Sequence, residues 1–189
     1  MRSDQVQEEF EQFVAGSSDS LLRTAYLVVR ELSVAEDLVQ ECLFRVARRW
    51  PRVRLMEHPT AYARRILMNL ILDGAESRNR RLSELDPVRH LRMEDRHDEA
   101  AARSLGDVDT ASELLDALGK LAPRQRAVLV LRYFEDLSEA QVAESMGCSV
   151  GTVKSTTSRA LERVRALLPP PAAQHLEPTL HHHVRSESP

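Results

Sequence analysis

Apolar residues recur along this chain at intervals of three and four, and β-branched runs are scarce, which is the spacing of helices that bury one face. Val6, Phe10, Phe13 and Val14 share such a face and predict a helix over 4–15, with Gly16 available to close it. Ser18 or Asp19 then caps a second helix whose stripe is Leu21, Leu22, Ala25, Tyr26 and Val29. A third opens at Ser33-Val-Ala-Glu36, which reads as a capping box, and runs to Trp50 over an inward face of Ala35, Leu38, Val39, Cys42 and Val46. Pro51 stops it, 52–58 reads as a polar loop, and Pro59-Thr60 starts another helix. That helix turns Ala63, Ile66, Leu67 and Leu70 inward, and Arg64, Arg65, Met68 and Asn69 outward.

Periodicity fades between Leu82 and Gly106, an acidic stretch poor in large apolar residues that reads as a flexible linker with room for a short helix over 93–104. It resumes with Leu114, Leu115 and Leu118, and then with a helix over 121–134 that carries Pro123 in its first turn. Ser138-Glu-Ala-Gln141 reads as a capping box, Gly147 as the left-handed residue of a turn, and Ser149 as the cap of the next helix. Ala143, Gly147 and Val153 have helix-turn-helix spacing: a small residue where two helices touch, a glycine in the turn, and an aliphatic plug under the second helix. After Leu168 come Pro169-Pro-Pro171 and a polar tail, read as disordered, in which His181-His-His183 is a solvated run rather than a metal site. The expected fold is all-α, with two small helical domains at 1–81 and 109–168, a flexible linker at 82–108 and a tail at 169–189. The second domain contains the helix-turn-helix.

Charge sharpens this picture once it is counted by block. The overall net charge is −3, yet residues 43–81 hold ten arginines against three acids, net +7, while residues 1–42 and 82–119 are each net −6. Residues 120–168 return to net +3. Two basic blocks separated by an acidic one point to two nucleic-acid contacts joined by a segment that avoids DNA. No apolar run approaches a membrane span, and the first residues lack a signal-peptide core, so a cytoplasmic protein is expected. Cys42 and Cys148 lie far apart and outside any Cys-x-x-Cys pair, which argues for two reduced thiols. No paired carboxylates, metal-spaced cluster, nucleophile elbow or phosphate loop is present, and so neither a catalytic residue nor a cofactor or metal is expected.

The stretch Ala35-Glu-Asp-Leu-Val-Gln-Glu-Cys-Leu-Phe-Arg-Val-Ala-Arg-Arg-Trp50 resembles the clamp-binding helix of extracytoplasmic-function (ECF) RNA polymerase sigma factors. Pro59-Thr-Ala-Tyr-Ala-Arg-Arg-Ile-Leu-Met-Asn-Leu70 is similar to the helix with which they read the minus-ten element. Leu121-Ala-Pro-Arg-Gln-Arg126, Gly151-Thr-Val-Lys-Ser155 and Arg159-Ala-Leu161 are similar to their fourth domain, which reads the minus-thirty-five element. The resemblance covers about residues 5–168, in the family's order. One departure is the run after Asp73, where Gly74-Ala-Glu76-Ser precedes Arg78 in place of a dense basic segment, so that backbone contact there is weaker or shifted toward Arg78.

The resemblance implies core RNA polymerase and promoter DNA as partners, leaves room for an anti-sigma factor, and distributes the site residues. Polymerase contact falls to Asp37, Gln40, Glu41, Phe44, Arg45 and Arg48, where an exposed aromatic among charges suits a protein interface. A base taken out of the stack at the minus-ten element falls to Arg54, Met56, Glu57, Tyr62, Arg65 and Asn69, with Arg78 on the backbone. Tyr62 is equally readable as core. On the recognition helix Lys154, Ser155, Ser158 and Arg159 share a face suited to base edges, while Thr152 and Arg124 lie nearer phosphates. The two elements lie about 70 Å apart, which the linker reaches only when something holds it extended. The competing reading is a stand-alone helix-turn-helix regulator, which binds duplex operator by itself and forms dimers. A small helical enzyme is a distant third.

Overall fold

The structure, a computed structural model, describes residues 2–85 and 108–168. The expectations for a helix over 93–104, for a flexible linker and for a disordered tail lie outside the described residues. All regular structure among the described residues is helical.

The first helix, α1 (Arg2–Val29), is continuous where the sequence suggested two. Gly16 is not in the left-handed region and closes nothing. The hydroxyls of Ser17 and Ser18, part of the polar run read as a break, donate back to Phe13 O (2.6 Å) and Val14 O (2.7 Å) one turn earlier. Phe10, Phe13, Leu21, Ala25 and Val28 therefore continue one stripe across the run, and the shared packing of that stripe outweighs the glycine's cost of about 1 kcal/mol. The helix ends instead at Arg30, which takes a left-handed conformation (φ 66°) and donates its N–H to Tyr26 O at 2.7 Å.

Helix α2 (Leu32–Ala47) starts at Glu31 without a side-chain cap, and Ser33 donates to Glu31 (3.3 Å) instead of forming a box with Glu36. Its inward face is as expected at Ala35, Val39, Cys42 and Val46. Trp50 opens a one-turn helix, α3 (Trp50–Val53), and Pro51 sits in its first turn rather than ending α2. The indole packs on Phe10 (centroids 5.3 Å apart) and Phe13 (5.1 Å), and its Nε1–H donates to Val6 O at 3.1 Å. These contacts seat the start of α1 on the following loop.

Helix α4 (Pro59–Leu85) passes Gly74 without a break. Met68, expected on its outward face, is fully buried with Ile71 and Leu72, while Ile66 and Leu70 are only half-buried. The reason is tertiary: α4 packs on α1 and α2 and also receives helices of the second half.

That half comprises α5 (Val108–Gly119), α6 (Pro123–Leu129), a π-helical turn (Val130–Phe134), α7 (Glu139–Met146) and α8 (Val150–Leu167). Helices α6 and α7 pack on α4, α6 and the π-turn pack on α1, and the buried residues of both halves form one continuous cluster. In the described residues the two halves thus form a single packed body.

Replacing Met68 by Ala tests this arrangement. A buried methionine should cost about 2–5 kcal/mol, whereas an outward one should cost under about 0.5, as read from the urea midpoint at unchanged m-value.

Candidate nucleic-acid interface

The helix-turn-helix is built as its residue pattern dictates. Ser138 accepts from Gln141 N–H at 3.3 Å and its own N–H donates to the Gln141 side chain at 2.8 Å, so two free amides at the start of α7 are satisfied reciprocally. Gly147 adopts φ +60°, a conformation that strains any residue with a Cβ, and lets Cys148 N–H reach back to Ala143 O. Ser149 then caps α8 by accepting from Thr152 N–H at 3.1 Å. Val153, Ala160 and Val164 are buried beneath α8, which fixes the opposite face outward.

On that outward face Thr152, Lys154, Ser155, Ser158 and Arg159 are all exposed. Lys154 lies 3.4 Å from Glu139 of α7, a partly exposed pair of little energetic weight, and Ser158 lies 3.4 Å from Glu162. Among the described residues Arg159 makes no ion pair, and its guanidinium is available to a ligand. Arg124 is exposed at the start of α6.

In the first half, α2 and α4 enclose an open cleft of about 640 Å³ lined by Glu41, Phe44, Arg45, Arg48, Arg49, Arg52, Ile66 and Asn69. It unites residues that the sequence had divided between polymerase and DNA. Phe44 is 59 % exposed, with the Arg48 guanidinium 6.0 Å from its ring centre. Glu41 is paired with Arg45 one turn on, at 2.6 Å, which leaves the other arginines to set the sign of the cleft. Asp37 and Gln40 are exposed on the same helix, outside the cleft lining.

Arg49 and Arg52 were not singled out from sequence, although a signal existed: Arg45, Arg48, Arg49 and Arg52 recur at i, i+3, i+4 and i+7. Arg49 donates to the Tyr62 hydroxyl at 3.0 Å, which holds the guanidinium charged and fixes the half-buried ring beside the cleft. Tyr62 is therefore neither wholly core nor free. In the loop Arg54 turns back to pair with Glu9 of α1 at 2.8 Å, while Met56 and Glu57 are exposed. Leu55, also passed over from sequence, is the most exposed large apolar residue among those described, at 78 %. Arg65 and Asn69 are exposed on α4, and the side chain of Arg78 lies outside the described residues.

Beneath the cleft, Cys42 is buried with its thiol 3.2 Å from Ala63 O, and burial pushes its pKa up to about 12. It is a packing residue rather than a nucleophile.

A basic cleft in a helical bundle, followed in the same chain by a helix-turn-helix with a polar outward face, defines the class as a two-part helical DNA-binding protein. Comparison with known proteins narrows this. Residues 14–81 match the family described as Sigma-70 region 2, and residues 111–164 match Sigma-70, region 4. The RNA polymerase sigma-E factor of Streptomyces coelicolor is 36 % identical over 157 residues, which cover 83 % of this chain and 84 % of that protein. The RNA polymerase sigma factor SigV of Bacillus subtilis is 28 % identical, over 77 % of this chain and 82 % of its own. Among solved structures, the sigma factor RpoE of Bartonella quintana, in complex with the anti-sigma factor NepR, superposes with a TM-score of 0.68 at 26 % identity over 85 % of this chain and 96 % of that one. The chain belongs to the ECF sigma factor family, and is a transcription initiation factor that recognises promoters. No helix among the described residues is long and apolar enough to cross a membrane.

The Cys42 thiol gives a pH signature. Its folded pKa lies above the ordinary value of 9.0, so the thiol's contribution to stability is complete below pH 9 and is lost as pH rises toward about 12. At pH 8 a water-soluble disulfide reagent should label this residue in urea but not in buffer, with Cys148 replaced by Ser to isolate it.

Proposed function

We propose that the chain binds core RNA polymerase through the exposed side of α2 and directs it to promoters read at two elements, with no catalytic activity of its own and in the cytoplasm. The observation that carries this reading is the pairing, in one chain, of an arginine-lined cleft containing Asn69 with a helix-turn-helix whose outward face is polar and basic. Neither serves a small helical enzyme, and the first has no use in a stand-alone operator-binding regulator.

The division of labour follows the residues. Residues 1–81 act as the polymerase-binding and minus-ten domain, and 109–168 as the minus-thirty-five domain. Asp37, Gln40, Glu41, Phe44, Arg45 and Arg48 supply the polymerase contact, with Phe44 as the apolar anchor inside a charged rim. Tyr62, Arg65 and Asn69, with Arg54, Met56 and Glu57 of the loop, take a base lifted from the stack. Asn69 is suited to this because its amide pairs with a base edge. Arg49 and Arg52 line the path of the displaced strand, where guanidinium groups neutralise phosphates. Arg78 contacts the backbone further along. On α8, Lys154, Ser155, Ser158 and Arg159 enter the major groove while Thr152 and Arg124 meet phosphates. An anti-sigma factor as a further partner is supported by the Bartonella quintana sigma factor, which was solved with one.

Run-off transcription with core polymerase on genomic fragments tests the reading: the chain should start transcription with no other initiation factor, and a regulator should not. Within that assay Arg159→Ala should cost about 1–3 kcal/mol at one base step and relax preference there, while Arg124→Ala should weaken all promoters alike and lower the salt slope by about one. Selection of minus-thirty-five elements from a randomised pool reads both, and an unchanged consensus with Arg159→Ala removes that residue from the base-reading set.

A further inference from the structure

A carboxylate stands on the inner face of the start of α1. Val6, Glu9, Phe10 and Phe13 recur at i, i+3, i+4 and i+7 and are half-buried, while Gln7, Glu8 and Glu11 between them are exposed. That face meets a second pair of residues at helical spacing. Trp50 packs on Phe10 and Phe13 and donates to Val6 O, and Arg54, four residues on, brings its Nε to 2.8 Å from Glu9 Oε2. Arg54 N–H also donates to Trp50 O at 3.0 Å, so one turn of backbone carries both the indole and the guanidinium. Beyond Arg54 the chain changes character, with Leu55, Met56, Glu57 and His58 exposed in succession. The far end of this run is fixed by α4, where His58 O accepts from Ala61 N–H (3.1 Å) and Tyr62 N–H (3.4 Å). Its near end is fixed by the Arg54 side chain on α1.

We propose that the Glu9–Arg54 pair braces this loop: Glu9 is a positioning residue that sets the pose in which residues 55–58 meet the minus-ten element. The inference rests on the minus-ten reading above and divides the work of that loop. Arg54 serves the site by holding the chain, since its guanidinium is turned to α1, and Leu55, Met56 and Glu57 supply the surface offered to DNA. A loop held at both ends has less freedom to lose when an unstacked base is seated, which favours the seated state. The pair itself adds little to the stability of the bundle, because its side chains are 27 % and 33 % exposed. Loss of the brace therefore leaves the bundle folded and frees the loop.

The test uses the full chain, first alone and then as holoenzyme with core polymerase. In the free chain, Glu9→Gln should speed hydrogen exchange at the amides of Leu55 and Met56, which donate to Arg52 O (3.2 Å) and Val53 O (3.0 Å), while core amides stay unchanged. The expected gain is about two- to fivefold. In the holoenzyme the same variant should slow strand opening by a similar factor, read by permanganate at unpaired thymines, and flatten base preference in a pool randomised at the minus-ten positions. Preference at the minus-thirty-five positions should not move. Glu9→Arg should do more harm, and Glu9→Arg together with Arg54→Glu should return exchange, opening and preference toward the parent. The swapped pair keeps the parent's net charge, so recovery reports the contact rather than bulk attraction to DNA. Unchanged exchange in Glu9→Gln overturns the brace, and faster exchange with unaltered opening and preference overturns its role at the promoter. Recovery of exchange without recovery of opening overturns the assignment of Arg54 to holding and makes it a direct DNA contact. A parent holoenzyme that opens no promoter overturns the minus-ten reading instead, and exchange in the free chain still judges the brace by itself.

Discussion

Helix α4 must satisfy three demands at once, and the rest of the structure follows from how it does so. Its residues Ala63, Leu67, Met68, Ile71 and Leu72 are all buried, the helix packs on α1 and α2 and on α6 and α7 of the second half, and Ile66 and Asn69 form one wall of the basic cleft. A helix has only about 100° of apolar arc in an ordinary amphipathic pattern, so burial on more than one side narrows the part left for nucleic acid to a strip. That strip carries the polar side chains Arg65 and Asn69 because every other direction is taken.

The cleft itself is a consequence of how α2 ends. Arg48 continues the last turn of α2 in helical backbone, Arg49 departs from it (φ −113°, ψ 6°), and Trp50, packed against both Phe10 and Phe13, anchors the short helix that brings Arg52 to the same cleft. An aromatic cluster made with the first helix thereby holds the arginines in place from behind, and Tyr62 holds Arg49 from the side. Positioning of this sort matters for a strand of phosphates, since a fixed guanidinium loses less conformational entropy on binding than a free one.

The helix-turn-helix is made differently. Its caps, turn and plug are supplied by residues within a span of some sixteen positions, and each local choice agrees with the others: a reciprocal capping box, a left-handed glycine, a serine cap and a valine plug. Such a module is specified by its own sequence and takes little from the first half. What it receives from outside is a position, through the π-turn and Glu135, whose carboxylate accepts from Thr24 of α1 and Arg64 of α4.

That contrast separates what the sequence determined from what only tertiary structure decided. The all-α class, the inward face of α2, the helix-turn-helix and the outward residues of α8 were legible because each rests on local physics: periodicity, capping and left-handed glycine. The junction at Gly16 was misread because a glycine and a polar run look like a break, and only packing of one stripe across them keeps the helix whole. Met68 was misread because periodicity supplies one buried face, while a second face appears only when another part of the chain packs on α4. The grouping of Arg49 and Arg52 with Asn69, and the meeting of Thr24, Arg64 and Glu135, join residues from separate stretches of chain. No local preference encodes such pairings; they exist because distant segments share one core.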